Sequence, residues 1–238
     1  MSQQMTPSGE THLNFTFRFK ENHFRMPHIH IHLLSLFYDF PHMNLPNVWI
    51  IDHKDSFTWN LAELVRATGM ATPQIIPNDS RNIDPIIRSG EKIILSPGPG
   101  IVHDSCHQPT FRLLERLPES TPLLGICLGH QIMGVHFGAQ LEQLASPLHG
   151  CREDAIHTEE SPLFAMIPSK FETGLYHSWR LSRHPLPDCL CITAQDQQGN
   201  ILAIQHHSRP WFGIQFHPES ILTPLGGSTL SNFLSLRP

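Results

Sequence analysis

The chain has 238 residues and a formal charge of −5 with no Lys/Arg cluster, which excludes a nucleic-acid-binding surface and leaves length for one large domain or two small ones. Five cysteines, an odd number without paired spacing, exclude a disulfide scaffold and point to reduced thiols in the cytoplasm. No apolar stretch approaches the length of a membrane span.

Residues 1–46 differ from the rest. They hold six of the eighteen histidines and six of the fourteen phenylalanines, without glycine-punctuated periodicity. The stretch reads as an irregular extension, or as sequence upstream of a true start at Met43. A metal role for His28-x-His30-x-His32, which alternates as ligands on a strand do, is the minor alternative. Arg18, Lys20 and Arg25 precede a short apolar patch, but no small-residue cleavage site follows, so it is not an ordinary signal peptide.

From residue 47 the pattern is regular. Val48-Trp49-Ile50-Ile51 is a continuous apolar run suited to a strand buried on both faces. Asp55 or Ser56 is placed to cap a helix carrying Phe57, Leu61, Leu64, Val65 and Thr68 on one face, and Gly69 stops it. Strands are expected at 74–77 and 92–96, and helices at 84–88 and 109–117. Pro97-Gly98-Pro99-Gly100 follows the strand at 92–96 directly, at the carboxyl end where doubly wound sheets bind ligands, which makes the loop a candidate substrate wall. Strand alternating with helix in this way predicts a mostly parallel α/β sheet. The second half changes character. Short runs at 171–175, 189–194, 201–205 and 211–216 predict antiparallel strands appended to that core, then a final helix over 228–236, with no interior linker.

Chemistry concentrates at Gly125-Ile126-Cys127-Leu128-Gly129-His130-Gln131, where a strand ends in a Gly-x-Cys-x-Gly turn and a helix follows. Such an elbow lifts the side chain into a pocket and aims the N–H of the next residue, Leu128, at a developing oxyanion. A buried structural cysteine is the plain alternative. A nucleophile needs a base, and Gln215-Phe216-His217-Pro218-Glu219-Ser220 offers one at the end of the last strand. In extended chain His217 and Glu219 face one side, so the imidazole can take the thiol proton while the carboxylate orients it.

Together these two motifs resemble the class I glutamine amidotransferases. Within them Asp55-Ser56-Phe57-Thr58, Leu95-Ser96-Pro97-Gly98-Pro99-Gly100, Tyr176-His177-Ser178 and Pro218-Glu219-Ser220-Ile221-Leu222-Thr223 are similar to the small subunit of anthranilate synthase or aminodeoxychorismate synthase. The resemblance spans about residues 47 to 236 and implies one amidotransferase domain over 47–238. It also implies that Cys127 attacks the side-chain amide of L-glutamine to form a γ-glutamyl thioester, with His217 as base and acid and Glu219 orienting it. The oxyanion site becomes Leu128 with the Gly98-Pro99-Gly100 loop; Gln131 contacts the bound glutamine, and the backbone of Ser178 and Trp179 holds its α-amino and carboxylate end. No cofactor and no metal are implied. Ammonia passes to a chorismate-binding large subunit in a hetero-oligomer, in either the tryptophan or the folate branch. Three stretches depart from the family pattern: His53-Lys54, Ile101 to Cys106, and Cys151-Arg152-Glu153-Asp154. They bear on partner contacts rather than on the three reacting residues. His130, His136 and His177 are assigned to packing or hydrogen bonding. Two other functions remain open: a regulatory subunit of the same fold without catalysis, and a stand-alone γ-glutamyl hydrolase.

Overall fold

A computed structural model describes residues 45–80, 83–158 and 161–237; the His- and Phe-rich tract and its candidate metal ligands lie outside them. The apolar runs form β1 (Asn47–Asp52), β2 (Thr72–Pro77), β3 (Lys92–Leu95) and β4 (Leu123–Ile126). Between them stand α1 (Thr58–Thr68), α2 (Asp84–Ser89) and α3 (Gln108–Arg116), and α4 (Leu128–His136) follows β4. The chain continues through β5 (Leu141–His157), β6 (Lys170–Leu181), β7 (Leu190–Gln195), β8 (Ile201–His206), β9 (Trp211–Ile214) and α5 (Gly226–Ser235).

Among the described residues these strands make one sheet in the order β2-β1-β3-β4-β9-β8-β7-β5-β6. From β2 to β9 neighbours are parallel, and from β9 to β6 they are antiparallel. The parallel strands lie between two apolar layers, which is why their sequences are solid runs rather than alternations. Successive residues point to opposite layers. Ile94, Leu124 and Phe212 pack with Leu61, Val65, Leu230 and Phe233 on the α1/α5 side. Their neighbours Ile93, Leu123 and Trp211 pack with Leu113, Ile132 and Met133 on the α3/α4 side.

Several expectations need correction. The residue at 57 leads into α1 without a side-chain cap; Asp55 acts one step earlier, its Oδ1 accepting from Phe57 N at 2.7 Å and its carbonyl from Thr58 N at 3.2 Å. Ser56 makes no cap. The strand begun at Phe171 does not stop at Leu175 but runs to Leu181, carrying Tyr176, His177, Ser178 and Trp179. Its partner β5 was not foreseen. That strand is mostly solvated, contains Pro147 and Gly150, and pairs with β6 through two irregularities, so no period-two pattern survives in it. The run from Trp211 is strand only to Ile214, and it is parallel to β4, so it closes the parallel core rather than extending the appended part. No helix among the described residues is long and apolar enough to cross a membrane.

Candidate active site

The loops after β1 and β3, the β4–α4 turn and the turn after β9 meet at the carboxyl end of the parallel strands, the usual ligand position in such sheets. Between them and β6 lies a cavity of about 270 Å³. Cys127 and His217 line it, as do Gly98, Pro99, Gly100, Leu128, Gln131, Ser178 and Trp179. Glu219 stands behind His217.

Cys127 sits at φ 51°, ψ −102°, a backbone conformation costly for a residue with a side chain. Its neighbours make the turn sterically possible. A Cβ on Gly125 would strike the backbone of Gly129 and His130, and one on Gly129 would strike the carbonyl of Leu95 in β3. Both glycines are therefore required by close approach of backbone to backbone. The turn is tied to β9 by a hydrogen bond from Cys127 N to the Ile214 carbonyl at 2.8 Å. Gly98 has the same character: a Cβ there would meet Leu128 Cδ2 and His53 Cβ at 2.6 Å, so the Pro-Gly-Pro-Gly loop packs directly on the residue after the cysteine.

His217 and Glu219 are together, but not through an extended strand. The chain turns after Ile214, and Ser220 N donates to the His217 carbonyl at 3.2 Å. This turn brings Glu219 Oε1 to 2.7 Å from His217 Nδ1, with both side chains buried. His217 is boxed by Phe57 and Tyr176, whose rings meet it edge-on at 5.4 and 4.9 Å, and Tyr176 is fixed by a 2.9 Å hydrogen bond between its hydroxyl and Ser220 Oγ. Burial acts to lower the His217 pKa. The negative charge of the nearby Cys127 sulfur and the Glu219 carboxylate outweigh it, and the value rises from 6.5 to about 11. Nε2 makes no hydrogen bond of full geometry, and the Cys127 sulfur raises the His217 pKa both by its charge and as a looser hydrogen-bond acceptor. The arrangement can hold a thiolate beside an imidazolium, the reactive state of a cysteine nucleophile.

The remaining histidines behave differently. His130 is wholly buried under the elbow, against Gly213. His53 bonds Ser96 O at 3.1 Å and Thr110 Oγ1 at 3.0 Å, and His177 bonds Trp179 O at 2.9 Å. His136 meets the Phe137 ring edge-on and lies tilted against Trp211. Burial lowers the pKa of His53 and His130 to about 3 and that of His177 to about 4, so all three are neutral in the folded chain. The unfolded chain takes up those protons near 6.5. Stability from this source is thus full above pH 6.5 and falls as pH drops toward 3–4, by about 2 kcal/mol for each histidine between pH 7 and pH 5. The urea midpoint is expected to fall markedly over that interval, and a constant midpoint would contradict the neutral assignment.

Sequence reasoning passed over Phe57, Tyr176 and Gln215. The first two touch His217 only because the fold joins distant segments. Gln215 precedes His217 by two residues, and the spacing rule that linked His217 to Glu219 pointed to it equally.

With this geometry in view, similarity to known proteins becomes informative. A family profile described as glutamine amidotransferase class-I matches residues 49–236. The chain belongs to that family. This amidotransferase is 38% identical over 191 residues to anthranilate synthase component 2 of Saccharolobus solfataricus, covering 78% of this chain and 96% of that protein. It is 35% identical over 189 residues to aminodeoxychorismate synthase component 2 of Klebsiella aerogenes, covering 79% and 99%. A crystal structure of a glutamine amidotransferase from Thermotoga maritima has the same fold at 17% identity, with a TM-score of 0.63 over 81% of this chain and 82% of that one.

Proposed function

We propose that residues 47–238 form a cytoplasmic glutamine amidotransferase subunit that hydrolyses L-glutamine to glutamate and delivers ammonia to a chorismate-binding partner subunit, with residues 1–46 a separate extension. The observation that carries the reading is Cys127 on a strained elbow beside a buried His217–Glu219 pair 2.7 Å apart. Support for the partner comes from the relatives, which are named as components of anthranilate and aminodeoxychorismate synthases.

In this reading the Cys127 thiolate attacks the side-chain carbonyl carbon and the electron pair moves to oxygen. The backbone N–H of Leu128 and the Gly98-Pro99-Gly100 loop stabilise that oxyanion. As the intermediate collapses the C–N bond breaks, and His217 gives its proton to the departing nitrogen, releasing ammonia. Water then attacks the thioester while His217 accepts its proton, and the thiolate leaves. Gln131 contacts the bound glutamine, and the backbone of Ser178 and Trp179 holds its α-amino and carboxylate end. No step calls for a cofactor or metal.

The test is acid quenching during turnover with glutamine, alone and with the co-purified large subunit, followed by peptide mass spectrometry and glutamate assay. A γ-glutamyl adduct on Cys127 is expected. Absence of adduct and glutamate under both conditions would leave only a regulatory role for the fold. Cleavage of γ-glutamyl peptides without the partner would instead mark a stand-alone hydrolase.

A further inference from the structure

Gln215 is fully buried, and the mechanism above gives it no task. Its Nε2 lies 3.6 Å from Cys127 Sγ in hydrogen-bond geometry, and its Oε1 lies 3.1 Å from Gln131 Nε2. Which end of the amide faces the sulfur is a matter of hydrogen-bond logic, because oxygen and nitrogen are interchangeable in shape. The logic starts at the Trp179 carbonyl, which only accepts. Gln131 must turn its Nε2 toward that oxygen, 2.6 Å away. The second hydrogen on the same nitrogen is then left for Gln215, which must present oxygen to receive it. The Gln215 amide nitrogen is thereby directed at the sulfur. Turning the amide over sets two NH₂ groups against each other and an oxygen against the sulfur. His177 Nδ1, at 2.9 Å, takes the other lone pair of the Trp179 carbonyl and fixes the far end of the chain.

We propose that Gln215 is a further catalytic residue, whose side-chain amide donates to the Cys127 sulfur and favours thiolate over thiol. This deepens the reading of Cys127 as nucleophile and rests on it. An N–H donor binds an anionic sulfur much more strongly than a neutral one, so the contact acts whenever the sulfur carries charge. It does so before attack, and again when the thioester C–S bond breaks and its electron pair returns to sulfur. No bond of Gln215 forms or breaks. Other titratable groups surround the sulfur. His217, backed by Glu219, enters the same cavity from the turn after β9, with Tyr176 and His177 on β6, His149 on β5 and Asp55 in the loop after β1; His130 on α4 is buried against Gly213. His217 supplies charge, and Gln215 supplies a neutral donor from the end of β9.

The experiment follows alkylation of Cys127 by iodoacetamide against pH, in the full chain without glutamine, located by peptide mass spectrometry. In Gln215→Met the ionisation midpoint is expected to rise by about one pH unit, a roughly tenfold loss of reactive sulfur at pH values below it. Gln215→Glu, which sets a carboxylate against the thiolate, is expected to raise it further. An unmoved midpoint in Gln215→Met whose near-ultraviolet circular dichroism matches the parent overturns the proposal. If that variant does not fold, the unsubstituted protein decides: the side-chain amide resonances of Gln215 must shift as Cys127 titrates, and unresponsive resonances overturn it equally. Thiol reactivity is read without glutamine. A shifted midpoint in a chain that never cleaves glutamine therefore rejects the amidotransferase reading and not this one.

Discussion

Cys127→Ala is expected to abolish glutamate release from glutamine, by a factor on the order of 10⁶, as when an enzyme nucleophile is deleted. The substitution leaves the elbow's strained backbone in place, because Ala fits where Cys did, so the loss is chemical rather than structural. A second signature accompanies it. The sulfur's charge is the largest influence raising the His217 pKa, and its removal leaves burial opposed only by Glu219. The imidazole titration, followed by NMR, is therefore expected to move down from about 11 in the variant. Retained glutaminase activity would remove Cys127 from the mechanism. An unmoved His217 titration would separate the two side chains electrostatically.

Glu219→Gln is expected to lower kcat by roughly 10³ to 10⁴, the scale seen when an orienting carboxylate is made an amide. The carboxylate accepts only, so it fixes the proton of a neutral ring on Nδ1 and leaves Nε2 to face the sulfur. An amide can donate to Nδ1 instead, which moves that proton to Nε2 and disables the base. Loss of the carboxylate also removes an influence that raises the His217 pKa, so the alkaline limb of the pH–rate profile shifts to lower pH. Steady-state kinetics across pH measure both effects, and a change confined to KM would instead assign Glu219 to substrate binding.

The fold was legible wherever burial alone dictates sequence. Val48, Ile50, Ile51, Ile93–Leu95, Leu123 and Leu124 are sandwiched between helical layers, so any apolar residue serves and the runs stand out. β5 was illegible because its neighbour imposes its conformation. Exposed Gln143, His149 and Arg152 alternate with nothing, and only pairing with β6 holds them extended. The site divides along the same line. The elbow announced itself because close backbone approach at Gly125 and Gly129 admits one residue type. Glu219 was matched to His217 by an argument about extended chain, whereas a turn makes the contact. Phe57 and Tyr176 were quoted only as parts of motifs; their packing on the imidazole depends on tertiary contacts that no local pattern encodes.

The place of β9 has a consequence for how the protein comes into being. It is the last strand to be synthesised, yet it lies between β4 and β8 near the middle of the sheet. The elbow hangs from β4, while Gln215, His217 and Glu219 follow directly on β9. A nascent chain halted before Trp211 thus holds a sulfur without its surroundings and a sheet split in two. Strand pairings this distant in sequence form late. The reactive centre is assembled by the same event that joins the two halves of the sheet, so Cys127 meets Gln215, His217 and Glu219 only once β9 is in place.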